Sequence, residues 1–228
     1  MPDQPDAARR TVADVRRTAI GVAVATAAYG VSFGALATSN GFDVWQACAM
    51  SLLMFTGASQ FALVGILGSG GSVASGVATA WLLGARNAFY GLRLASLLRL
   101  FGWRRVGGAH LVIDESTAQA VAHDDPELGR AGFWYGGGIL FVLWNLTTLI
   151  GALAGAQLGD PKAYGLDAAS SAAFLALLWP RLHGTTPRVV AVAAAALAVG
   201  VVPLVPAGVP VMVAGLAAVL AGLFRWHE

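Results

Sequence analysis

Charged residues are scarce in this sequence. Asp, Glu, Lys and Arg make up 11% of its 228 residues, where a soluble domain carries about 25%. Residues 44–85 carry none. That deficit excludes an ordinary soluble domain and places the chain with polytopic membrane proteins. Cysteine is nearly absent too. Cys48, the single one, lies in an apolar run, so no intrachain disulfide and no cysteine-built metal site is expected. It reads as a small buried hydrophobe.

Other absences narrow the function. The four histidines, His110, His123, His183 and His227, fall in polar segments or at ends, which leaves none inside the membrane to act as a base. "GASQ" at 57–60 departs from the Gly-x-Ser-Gly that a rhomboid-like protease needs. No enzyme is expected. No glycine-rich phosphate loop of the Walker type is present, so the chain itself is not expected to bind ATP that way, and no cofactor or metal is anticipated. The formal net charge of +2 is too small to argue for nucleic acid. The basic residues lie at the ends of apolar runs, which suits a membrane and not a phosphate backbone.

What is present is apolar and small. Hydrophobic residues make up 57% of the chain and mean hydropathy is +0.69. Glycine occurs 29 times, as suits membrane helices that approach closely. Apolar runs of about 20 residues read as spans. They fall near 18–38, 45–67, 131–157, 166–180, 187–204 and 209–224, with a further region at 73–101. "ALA" at 35–37 resembles a signal-peptidase site, but the first run is long enough to span and is expected to be retained.

The expected fold is all-α. It is a polytopic integral membrane protein of about seven to eight membrane-embedded helices, some short or broken. Residues 1–17 form a cytoplasmic N-terminal segment and 18–228 a single membrane domain. Arginines precede the first span (Arg9, Arg10, Arg16, Arg17), flank the polar segment 102–130 (Arg104, Arg105, Arg130) and flank the loop at 181–188, and Arg225 follows the last span. The opposite loops carry only Lys162, countered by Asp160 and Asp167. The positive-inside rule therefore places both termini and segment 102–130 in the cytoplasm.

That orientation makes 73–101 anomalous, because the region must enter and leave on one side. Two full crossings need about 40 residues, and it has fewer. The reading is two short tilted helices or a re-entrant hairpin with "GARN" at 84–87 as its tip; a plain single crossing is the alternative. "GALA" at 34–37 recurs at 151–154, and aligning Phe61 with Phe174 sets Gly57 on Ser170. This reads either as an internal repeat, as in many transporters, or as chance in an Ala- and Gly-rich chain.

The candidate binding residues are polar groups in apolar surroundings. Thr56, Gly57, Ser59 and Gln60 lie near the middle of the second span. Thr56 and Gln60 are four apart and would share a helix face. Gly57 can bring the backbone close to a neighbour or break the helix, and a broken helix frees N–H and C=O groups that hold a carboxylate and an ammonium. The competing reading is interhelical hydrogen bonding alone.

Arg86 is the only charge from Val44 to Gly91. Its fork suits a carboxylate, or it snorkels to headgroups. Asn87 adjoins it. Asp114 and Glu115 read as a helix start with Asp114 as N-cap, or as coupling groups for protons or an ammonium. Trp144 and Thr148 share a face of the 131–157 span and are candidates to line the same cavity. Trp45, Trp103, Trp134, Trp179 and Trp226 lie near segment ends and read as interfacial anchors.

Several blocks, in order, resemble the AzlC family, the large subunit of bacterial branched-chain amino-acid permeases. They are "GVSFGALATSNGF" at 30–42, "MSLLMFTGASQFALVGIL" at 50–67, "ARNAFYGLRLASLL" at 85–98, "IDESTAQAV" at 113–121 and the long stretch from Leu143 to Leu178. The resemblance implies a multi-pass transporter of the bacterial inner membrane, working in export. It also implies a small membrane partner of the AzlD type. The family's third block usually reads Asn-x-Arg-His; here Gly84 and Asn87 stand at the Asn and His positions and only Arg86 is kept, which leaves the choice among branched-chain amino acids open. The alternative function is a scaffold or accessory subunit without a transport path.

Overall fold

The structure is a computed structural model that describes residues 11–157, 175, 178–179, 182–205 and 209–215. Among the described residues the secondary structure is helical, without strands. The helices are α1 (Val12–Ser39), α2 (Val44–Leu53), α3 (Ala58–Gly68), α4 (Val73–Leu98), α5 (Trp103–His110), α6 (Asp114–Val121), α7 (Pro126–Gln157) and α8 (Thr185–Val201). A 3₁₀ turn, Val202–Leu204, follows α8, and residues 209–215 are helical. Among the described residues, three stretches are long and apolar enough to cross a membrane: Val12–Ser39, Pro126–Gln157 and Thr185–Leu204.

Local chemistry sets the ends. Thr11 caps α1: its hydroxyl and N–H both donate to Asp14, and Asp14 N–H returns to Thr11. The helix therefore starts before Arg16 and Arg17, six residues ahead of the expected span. Asp43 and Gln46 form a reciprocal capping box on α2, with bonds of 2.8 and 2.9 Å, so two of the N–H groups that a helix start leaves open are served.

The region expected to be broken or a hairpin at 73–101 is one continuous helix, α4, about 39 Å long at 1.5 Å per residue. Nothing in "GARN" stops a helix. It holds no proline, and Ala, Arg and Asn continue the turn at little cost. The opposite correction applies to 45–67, where the chain leaves the helix at Met54 and re-enters at Ala58. Segment 102–130 is also ordered, holding α5, α6 and the first turn of α7, which starts at Pro126. Most of the expected span at 166–180, and the second copy of the proposed repeat at Ser170, lie outside the described residues.

The chain divides into two compact units. One holds the described residues up to Gly30 together with Asn87–Thr147. Its core is Leu94, Val112, Ala120 and Phe133, backed by Tyr90, Leu97, Leu98 and Leu111. α6 lies on a glycine face of α7. A Cβ at Gly129 would press on the Ala120 carbonyl, one at Gly132 on the Gln119 carbonyl, and one at Gly136 on Gln119 and Ser116. Positions 129, 132 and 136 recur at helical spacing, so one smooth strip of α7 admits α6 at backbone distance. Alpha-helix 1 meets α7 here too: Thr147 Oγ1 donates to Ala27 O at 2.7 Å, and a Cβ at Gly30 would collide with Thr147 and Trp144.

The other unit holds Val31–Arg86 and the described residues from Thr148 on. Here α1 and α7 meet through glycine on both sides. A Cβ at Gly34 would strike the Thr148 carbonyl and Ala152 N; one at Gly151 would strike the Val31 carbonyl; one at Gly155 would strike Thr38 and Ala35. The recurring "GALA" segments are thus contact partners across one seam. Phe33 of α1 meets Phe61 of α3 edge to face, ring centroids 5.5 Å apart at 71°, and both rings are fully buried.

In lipid such seams replace the hydrophobic effect with close backbone packing. Gly34→Val or Gly151→Val is expected to lower stability by about 1–3 kcal/mol, read as a fall in the thermal midpoint of the purified protein in detergent. Gly65→Ala, inside α3 with no atom near its new methyl, is the control and is expected to keep or raise the midpoint.

Candidate functional site

The second apolar run is the place where the fold departs most from a plain span. Helices α2 and α3 are each about 15–17 Å long, half of a roughly 30 Å hydrocarbon core. Between them residues 54–57 are not helical. Gly57 sits at φ 61°, ψ −96°, a region closed to side-chain-bearing residues and open to glycine. A Cβ there would touch nothing within 4 Å. The glycine is needed for backbone shape, not for room.

Gln60 holds the break. It is fully buried. Its Oε1 accepts from Gly57 N–H at 3.1 Å and its Nε2 donates to Met50 O at 3.4 Å. One side chain therefore serves a donor at the start of α3 and an acceptor in the last turn of α2. Thr56 lies in the break, its hydroxyl 3.4 Å from Met54 O. The expected shared face of Thr56 and Gln60 does not exist, because Thr56 precedes the helix that Gln60 is on.

Ser59 is different. Its side chain is 1% exposed, and its Oγ has no hydrogen-bond partner among the described residues. A buried hydroxyl without a partner costs about 1–3 kcal/mol. It stands in the first turn of α3, where N–H groups lack intrahelical partners and the helix dipole is positive. Across from it on α4 is Gly84: a Cβ there would lie 3.5 Å from Ser59 Oγ and meet no other atom within 4 Å. A Cβ at Gly57 would meet nothing, and one at Gly84 would make ordinary van der Waals contact with the buried hydroxyl.

The remaining expected residues fall as follows. Thr148 is fully buried and accepts from Ser51 Oγ at 3.2 Å. It joins α7 to α2 and serves as an interhelical bond. Ser51 was not singled out in the sequence; its only signal was a hydroxyl one helical turn before the break. Arg86 is half-buried inside α4, two residues past Gly84. These belong to the same compact unit as the break.

Asn87, Asp114, Glu115 and Trp144 belong to the other unit. Asn87 is half-buried, with its Oδ1 buried and unpartnered among the described residues. Trp144 is 4% exposed, so it is not an interfacial anchor, whereas Trp45, Trp103 and Trp179 are largely exposed. Trp226 lies outside the described residues.

Asp114 is not the cap of α6. The N-cap is Ile113, and Ser116 does the capping: its Oγ accepts from Ile113 N–H at 3.0 Å and donates to Leu111 O at 2.6 Å. The serine reaches back because Val112 and Ile113 are buried, which fixes the entry angle and places Asp114 inside the first turn. The helix ends at Val121, two residues short of His123.

Comparison with known proteins sets the geometry in context. The AzlC family, described as "AzlC protein", matches residues 21–158. A protein of Helicobacter pylori (strain ATCC 700392 / 26695), named "Uncharacterized membrane protein", is 27% identical over 159 residues, covering 69% of each chain. One of the same name from Archaeoglobus fulgidus is 33% identical over 166 residues, covering 72% of this chain and 73% of that one. No solved structure matches the chain.

The roles of the two buried polar side chains separate by stability. Gln60→Leu strands Gly57 N–H and the second acceptor site of Met50 O, and is expected to cost about 1–3 kcal/mol. Ser59→Ala removes a hydroxyl that bonds to nothing described, and is expected to be neutral or stabilising. Thermal midpoints of the two variants in detergent check both; a large loss for Ser59→Ala refutes the assignment.

Proposed function

The chain belongs to the AzlC family, and from that membership we propose that it is a secondary transporter of branched-chain amino acids across the bacterial inner membrane. It works in export, with a small membrane subunit of the AzlD type. Its membrane character is carried by the similarity to proteins named as membrane proteins and by its long apolar helices. In this reading both termini are cytoplasmic, and the full chain holds seven to eight membrane-embedded helices, roughly one per 20 apolar residues.

The observation that carries the reading is the break at 54–57. A zwitterion loses its hydration on entering a membrane, and something must replace it. The start of α3 offers N–H groups and the positive end of a dipole to a carboxylate; the last turn of α2 offers carbonyls to an ammonium. Gln60 keeps the break open without substrate, so its backbone groups need little rearrangement on binding. Ser59 Oγ adds one donor where the carboxylate would sit. Met54, half-buried in the break, supplies apolar surface for an aliphatic side chain. Arg86 and the Asp114–Glu115 pair are the ionisable groups assigned to substrate charge and to coupling.

The test is flux. Proteoliposomes holding the chain and its partner subunit are expected to show saturable counterflow of leucine, isoleucine and valine. Ser59→Ala is expected to lower that flux roughly ten-fold, the equivalent of about 1.4 kcal/mol of binding, with no fall in the thermal midpoint. Flux that does not saturate, or is equal in wild type and Ser59→Ala, counts against the site. Full activity of a Gly57→Ala variant counts against the break as the binding element.

A further inference from the structure

A second feature stands where α4 turns into α5. Helix α4 ends at Leu98, and the next residue, Arg99, has φ 47°, the one positive φ outside glycine among the described residues. A side chain in that conformation is strained, and helices usually end there on glycine. Gly102, three residues on, has φ 54°. The two left-handed residues fold the chain back so that Phe101 and Trp103 stand outward, 83% and 88% exposed. Val106, one turn into α5, is 60% exposed. The opposite side of α5 is packed, with Gly108 buried where a Cβ would meet Leu100 and Trp134.

The charges here are of one sign. No Asp or Glu occurs from Val44 to Ile113, while Arg93, Arg99, Arg104 and Arg105 are exposed. Arg99 Nε donates to Ser96 O at 3.3 Å, which leaves its terminal nitrogens outward. Arg130 closes the last turn of α4 by donating to Leu97 O at 2.8 Å. Arg104 and Arg105 make no ion pair among the described residues. So Arg130 caps α4, and Arg99, Arg104 and Arg105 flank the two exposed aromatic residues in the sequence.

We propose that Arg99, Arg104 and Arg105, with Phe101 and Trp103 between them, form an interfacial seat for the phosphate of an anionic phospholipid. Aromatic rings settle at the boundary between headgroups and acyl chains. Guanidinium forks pair with phosphate oxygens in two parallel hydrogen bonds. The attraction of each arginine to an anionic leaflet is worth about five-fold in occupancy. The unfavourable backbone of Arg99 is then accounted for: glycine would turn the corner more easily but would bring no charge to it. The seat does not depend on the transport reading.

Full-length protein in nanodiscs of equimolar phosphatidylglycerol and phosphatidylcholine supplies the test. After release, native mass spectrometry counts the lipids that stay bound. Wild type is expected to retain phosphatidylglycerol preferentially. The preference is expected to fall roughly five-fold for Arg99→Gly and further for Arg99→Gly/Arg104→Gln/Arg105→Gln. Arg99→Gly alone is expected to keep or raise the thermal midpoint, because glycine suits φ 47°. Arg188→Gln, whose Nε holds Leu182 O, is the control and is expected to leave the preference intact. An unchanged lipid ratio in the triple variant overturns the proposal, as does an equal fall in the Arg188→Gln control.

Discussion

A backbone amide in hydrocarbon must find a partner inside the protein. That constraint explains most of the structure. It forbids strands and loops at depth and makes helices the default. It also makes the non-helical stretch at 54–57 expensive, and Gln60 offsets the expense. Its carboxamide is the one neutral side-chain group that both donates and accepts at planar, amide-like geometry. With Oε1 on Gly57 and Nε2 on Met50, it stands in for a missing turn of backbone.

Glycine serves two opposed purposes in this chain. In α1 and α7 it is used for its lack of bulk. Gly34, Gly151 and Gly155 lie where a methyl would strike backbone, and the φ of each is ordinary. At Gly57 it is used for its freedom of rotation, with open space around it. The first kind fixes two long helices together; the second releases a short pair from regularity. Rigid seams hold the irregular stretch in place. Ser59, buried and without a hydrogen-bond partner among the described residues, stands beside that irregularity.

Much of this was legible in the sequence. The membrane class followed from charge alone. The cluster at 56–60 stood out because polar groups in lipid need partners, and Gly57 flagged the break. The details were not legible. Treating 45–67 as one helix put Thr56 and Gln60 on a common face; the break removes Thr56 from that helix. "GARN" looked like a tip because Arg86 interrupts an apolar run, but hydropathy reports cost, not backbone conformation, and α4 continues through it. Asp114 looked like a cap by residue type; Ser116 won the role through the buried Val112–Ile113 entry. The α7 strip at Gly129, Gly132 and Gly136 is periodic in the sequence, yet periodicity does not say which helix it receives.

By itself the sequence determined the solvent. Charge-poor runs of spanning length permit helices in a bilayer and little else, and glycines such as Gly57 carry backbone angles written in their own chemistry. Tertiary structure alone decided which polar groups were satisfied. Gln60, Thr148, Ser116 and Ser59 are all uncharged, small or mid-sized, and set in apolar surroundings. Among the described residues three of them found partners and one did not, because hydrogen bonding depends on distances of about 3 Å between groups that the chain order keeps far apart or holds at an angle it does not specify.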